Sequence, residues 1–114
     1  MMPLTMWVAL LLQPCTMVGT PGPDYLIGRN GNDVICALGG NDIVSGGGGR
    51  DVIRAGAGDD KIVAKEGVDV VFAGPGNDTI WSWDGSVDRI DGGPGRDVGF
   101  TNAIDIVTNV EDRS

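Results

Sequence analysis

Large aliphatic residues recur at every ninth position of this chain. Leu26, Ile35, Val44, Ile53, Ile62, Val71 and Ile80 keep the spacing, and Ile90 follows one residue late. Two places ahead of each stands an aspartate, in the series Asp24, Asp33, Asp42, Asp51, Asp60, Asp69, Asp78 and, after the same slip, Asp88; Asp97 extends the column. Two places further ahead stands glycine, at Gly22, Gly31, Gly40, Gly49, Gly58, Gly67, Gly76 and Gly95. The last three residues of each nonapeptide are rich in Val and Ile, which suit a pleated strand whose side chains alternate faces. The six before them are mostly Gly, Asn, Pro and Asp, residues that tolerate or preset turn conformations. Pro21, Pro75 and Pro94 all take the third place of their repeat. Nine residues therefore predict a turn and a strand, and eighteen predict one coil with two strands facing each other. The expected fold class is all-β, a parallel β-roll (a β-helix or solenoid) of tandem nonapeptides around a thin aliphatic core.

Such a coil places residues i and i+18 one above the other at about 4.8 Å, the spacing of neighbouring strands. Asp24, Asp42, Asp60 and Asp78 then line one edge, with Asp33, Asp51 and Asp69 along the other. Two columns of like charge push a coil apart unless something neutralises them. A Ca²⁺ ion, which bonds oxygen at about 2.3–2.6 Å, spans the gap between stacked oxygens, and turn carbonyls can complete its six to eight ligands. Mg²⁺, at about 2.0–2.1 Å, is too small to bridge without compressing the stack. On the second edge the pattern departs: Lys65 and Glu66 replace flexible turn residues, and an extra residue before Asp88 is expected to shift that carboxylate off the stack.

Composition narrows the function classes. With 114 residues the chain is one domain at most, and with 20 Gly and 5% aromatics it lacks the bulk for an ordinary globular core. A formal net charge of −8 disfavours nucleic acid and anionic membranes and favours cations. The absence of His removes imidazole zinc sites and the usual general base. No paired acids face an evident cleft, so the chain is not read as an enzyme. Asp84, Ser86 and Asp88 mimic the start of an EF-hand loop, but Arg89 stands where that loop needs Gly. Asn77-Asp78-Thr79 is formally a glycosylation sequon and is also what the repeat itself requires at that place.

The organisation expected is an apolar leader with a first edge strand (residues 1–18), the roll (19–100), and a capping strand and tail (101–114). The apolar run Met6–Leu12 resembles a short secretory signal and falls far below the ~20 residues that span a bilayer. The tail keeps alternation at Ile104, Ile106 and Val110 and ends in charges that would blunt an open edge. Cys15 and Cys36 are the only cysteines, and in an exported chain a disulfide is the default. Stacking, however, puts Cys15 over Asp33, roughly 10 Å along the strand from Cys36, so the bond requires the first strand to leave register.

The stretch GGNDIVSGGGGRDVIRAGAGDDKI resembles the hemolysin-type calcium-binding, or RTX, nonapeptide G-G-x-G-x-D-x-U-x. The resemblance extends over about Gly19–Phe100. It implies several Ca²⁺ ions between successive turns on each edge, held by Asp24, Asp33, Asp42, Asp51, Asp60, Asp69, Asp78, Asp88 and Asp97. Turn backbone at Gly22, Gly31, Gly40, Gly49, Gly58, Gly76 and Gly95 would supply carbonyls. It also implies export to a calcium-rich exterior where the roll folds. Other readings are an adhesin-like or structural solenoid, or a fragment of a larger RTX exoprotein such as a protease or lipase.

Overall fold

The computed structural model describes residues 14–82, 86, 88–101, 106–110 and 112–113. Among the described residues twelve short strands follow one another without a helix: β1 (Met17–Val18), β2 (Tyr25–Ile27), β3 (Val34–Cys36), β4 (Ile43–Ser45), β5 (Val52–Arg54), β6 (Lys61–Val63), β7 (Val70–Phe72), β8 (Thr79–Trp81), β9 (Arg89–Asp91), β10 (Val98–Phe100), β11 (Ile106–Thr108) and β12 (Asp112–Arg113). Odd strands form one parallel sheet and even strands the other, each in sequence order. From β1 to β8 pairing runs residue on residue at eighteen, as in Ile35↔Ile53 and Val44↔Ile62. The all-β, parallel roll expected from the nonapeptide is the fold of the chain. No helix among the described residues is long and apolar enough to cross a membrane.

The core lies between the sheets. Ile35, Val44, Ile53, Ile62, Val71 and Ile80 have no exposed surface, and Ile90 has almost none. A second column shares this interior: Ala37, Ala55, Ala64 and Ala73, the first residue of their repeats, are equally buried. A methyl group there closes the corner where strand passes into turn. Full burial of each Val or Ile contributes roughly 1.5–3 kcal/mol, and stacking makes every contribution depend on the coils above and below.

The extra residue before Asp88 does not displace the strand that follows. Arg89 and Ile90 pair with Val70 and Val71 as if the repeat were regular, so the insertion is taken up in the turn between Trp81 and Asp88. Register is fixed by the strands, because slipping one residue would turn the buried column to solvent. Lys65 and Leu38 occupy the second place of their turns at φ of 58° and 70°, where Gly47, Gly56, Gly74 and Gly93 stand in other repeats. Their turns keep the shape that Gly adopts elsewhere, at a cost of roughly 1–2 kcal/mol each.

Cys15 and Cys36 are bonded, with Cα atoms 5.9 Å apart. The expectation that β1 would have to leave register for this is not met: Met17 and Val18 sit over Ile35 and Cys36. Instead the chain bends at Thr16, whose amide donates to the Val34 carbonyl, so that only Cys15 departs from the strand line. The bond lies on the outward face of the odd sheet, where Val34, Cys36 and Val52 form a second buried cluster with Val70 and Phe72 against it. On the even sheet the corresponding Tyr25 and Ile43 are exposed.

The bond closes a sequence separation of 21 residues, which on loop-closure grounds stabilises the fold by on the order of 3 kcal/mol. Cys36→Ser should therefore unfold at clearly lower denaturant than the parent. Thiol counting of the denatured, non-reduced parent should find no free thiol, and two free thiols would refute the pairing.

Candidate metal centre

Each edge of the roll carries a row of buried aspartates. Asp42, Asp60, Asp78 and Asp97 lie on one edge and Asp33, Asp51, Asp69 and Asp88 on the other, all of them at most 3% exposed. Asp24 begins the first row and is half-buried. Each carboxylate sits at the junction of turn and strand, where the repeat directs it beneath its own turn.

The rows are tied by hydrogen bonds as well as by the sheets. Oδ1 of Asp42 accepts from the Asp24 amide at 2.8 Å, Asp60 from Asp42 at 2.8 Å, Asp78 from Asp60 at 2.8 Å and Asp97 from Asp78 at 2.7 Å. On the second edge Asp51 accepts from Asp33 at 2.9 Å, Asp69 from Asp51 at 2.8 Å and Asp88 from Asp69 at 2.8 Å. Asp88 thus stands in its row, contrary to the displacement expected from the inserted residue. Asp84, the first residue of the EF-hand mimic, lies outside the described residues, as does Trp83.

The second oxygen makes the site. Oδ2 of Asp42, Asp51, Asp60 and Asp78 is buried without a hydrogen-bond partner, although buried carboxylate oxygens are costly unless compensated. At Gly46, a Cβ would come within 3.0 Å of both Asp51 Oδ2 and the Ala64 carbonyl oxygen one coil on. The same pair recurs at Gly28, between Asp33 Oδ2 and the Gly46 carbonyl, and at Gly19, between Asp24 Oδ2 and the Ala37 carbonyl. Carboxylate and carbonyl oxygens thus lie close together at the first place of these repeats, between successive turns. Among the described residues no three acidic, His or Cys side chains converge; one Asp per turn leaves the remaining ligands to backbone. Such all-oxygen donors suit a hard cation and fit Ca²⁺, with its tolerance of irregular, many-oxygen cages.

The first turns differ from the rest. Asp24 Oδ2 accepts from the Thr20 amide at 2.7 Å and its Oδ1 from the Thr20 hydroxyl at 2.9 Å. Asp33 Oδ2 accepts from the Arg29 amide at 2.7 Å, and the Arg29 side chain lies 3.6 Å from its Oδ1. At these ends the chain's own donors satisfy the carboxylate. Gly22 and Gly31 also stay outside the left-handed region that Gly40, Gly49, Gly58, Gly76 and Gly95 adopt.

Burial raises the acids. The Asp51 and Asp60 carboxyls are pushed up to about 6 and Asp78 to about 8, first by loss of solvent; a backbone amide on each acts the other way, and neighbouring carboxylates of the row raise them further. Asp42 is raised for the same reasons.

A model of the RTX calcium-binding nonapeptide repeat, four copies long, matches residues 16–44, 37–71 and 63–99. These spans take in every aspartate of both rows. No curated protein and no solved structure matches the chain.

Because these carboxyls hold protons more tightly folded than unfolded, the metal-free roll gains stability that is fully present below about pH 4. That gain is lost as pH rises through about 6 and 8, the folded values of Asp51, Asp60 and Asp78. Circular dichroism in chelator should show more β-structure at pH 4.5 than at pH 8.5 (both chosen about those values). A signal that is flat or grows with pH would contradict the burial of these rows.

Proposed function

Because the chain belongs to the RTX calcium-binding nonapeptide repeat family, we propose that it is an extracellular β-roll that folds when Ca²⁺ enters the spaces between its stacked turns. A roll of this family is a structural calcium-binding module and not a catalytic fold. The observation that carries the proposal is the set of buried, partnerless carboxylate oxygens of Asp42, Asp51, Asp60 and Asp78. Asp42, Asp51, Asp60, Asp69, Asp78, Asp88 and Asp97 hold the ions, with backbone carbonyls of the glycine turns completing each cage. Asp24 and Asp33 close the rows at their first turn, where local donors already meet them.

Metal-free, the chain carries a net charge of −8 and buries the acids of each row within one strand spacing of each other. Its apolar core is one side chain thick. Ion binding removes both the repulsion and the desolvation cost, so binding free energy becomes folding free energy. Extracellular residence is supported by the Cys15–Cys36 bond, since disulfides persist in oxidising compartments, and by the calcium concentrations found there.

Calcium titration followed by far-ultraviolet circular dichroism at pH near 7.5 (about 1.5 units above the raised carboxyls near 6) should show β-structure forming, with chelator reversing it. A spectrum indifferent to chelator would overturn the reading. Asp60→Asn keeps an oxygen for the Asp42 amide and loses the charge, so it should raise the calcium midpoint on the order of tenfold. Asp24→Asn, at the self-satisfied end, should shift it by less than about threefold.

A further inference from the structure

The fifth place of each turn, just before the aspartate rows, carries a second ladder that points the other way. Asn41 Oδ1 accepts from the Asp59 amide, Asp59 Oδ1 from the Asn77 amide and Asn77 Oδ1 from the Arg96 amide, each at 2.9 Å. These side chains are exposed and off the aspartate column. On the opposite edge the ladder has one rung, Asn32 accepting from the Arg50 amide at 2.9 Å. It stops there because the Arg50 side chain has no acceptor atom to offer the next turn.

A trans peptide is planar, with N–H and C=O opposed. An amide of Asp59 held toward the coil before it therefore holds the Gly58 carbonyl toward the coil after it. The contacts agree: the Gly58 carbonyl oxygen is the atom a Cβ on Gly76 would strike, and the Gly76 carbonyl oxygen stands in the same relation to Gly95. Both glycines have φ near 120°, at 120° and 112°, which is what lets the turns approach closely enough to stack these carbonyls.

We infer that Asn41, Asp59 and Asn77 are positioning residues for the cation spaces of their edge, fixing the direction of the Gly58, Gly76 and Gly95 carbonyls before any ion arrives. The inference rests on the calcium-roll reading above and explains how the two edges differ. The Asp24–Asp97 edge is preorganised by three consecutive rungs, and the Asp33–Asp88 edge by one.

Calcium midpoints of the full chain should rise about fivefold for Asp59→Ala, the equivalent of one hydrogen bond of about 1 kcal/mol. Asp59→Asn, which keeps the acceptor, should restore the midpoint. Arg50→Asn adds an acceptor beneath the Val68 amide and should lower it. A variant that merely weakens the fold raises the midpoints for Ca²⁺ and the larger Sr²⁺ together, whereas loss of carbonyl orientation changes their ratio. Asp59→Ala should therefore change the Sr²⁺/Ca²⁺ ratio and Asp59→Asn should not. Equal midpoints for Asp59→Ala and Asp59→Asn, or an unchanged ratio in Asp59→Ala, would overturn the positioning role. If the parent itself ignores calcium, the calcium reading fails instead. The ladder is then still judged by hydrogen exchange of the Asn77 amide at acid pH, which Asp59→Ala should accelerate and which, if unaltered, would refute it.

Discussion

Every feature of this roll depends on one constraint: parallel strands in register stack each residue on its counterpart one coil away, at about 4.8 Å. For Ile53 above Ile35 and below Val71 that repetition is favourable, since like apolar groups exclude water from one another. For Asp51 above Asp33 and below Asp69 the same repetition places ionisable groups in a shared, buried row. A roll of this kind cannot keep the first benefit without meeting the second problem. Its chemistry is the answer to a geometric necessity.

The chain answers in three ways that differ along its length. At the first turns, Thr20 and Arg29 supply amides to Asp24 and Asp33. Within the rows, one oxygen of each Asp takes an amide from the preceding coil, which relieves half of the carboxylate. The other half is left to a proton or a cation. Burial holds Asp60 and Asp78 well above an ordinary carboxyl and so favours the proton, and a divalent ion is the alternative that works at neutral pH.

Strands, coil repeat, aliphatic column and both Asp rows were legible in the sequence, because period nine survives in every copy from Gly19 to Ile80. What escaped it arises from contacts between coils and not within them. Ala at the first place of the repeat gives no strand signal, yet Ala37, Ala55, Ala64 and Ala73 are as buried as the Ile column. The Asp-to-amide bonds and the Asn41–Asp59–Asn77 ladder require knowing which way each peptide faces, although Asn, Asp and Asn recurring eighteen apart was the visible trace. Asp88 differs from the expectation because the inserted residue is not a rigid shift: the strand register, with far more burial at stake, decides where the carboxylate stands. Cys15 differs from the expectation for a similar reason, since a single bend at Thr16 suffices where a whole strand was expected to move.

Lys65 and Leu38 show how strongly the turn is dictated from outside. A side chain at positive φ opposes the left-handed conformation, and Gly fills the same place at Gly47, Gly56, Gly74 and Gly93. Neither residue opens its turn, because both ends are anchored: a buried Ala precedes each, and a buried Asp four residues later carries the hydrogen bond to the neighbouring coil. Tolerance at this second place follows from rigidity at the first and sixth. A Cβ on Gly40 or Gly58 at the fourth place would meet the backbone of the coil before it, as it would on Gly47 or Gly56 at the second, so a side chain at either place makes the neighbouring coil shift. The repeat is therefore held by its first and sixth places, and a side chain at the second is accommodated because those anchors keep the turn in shape.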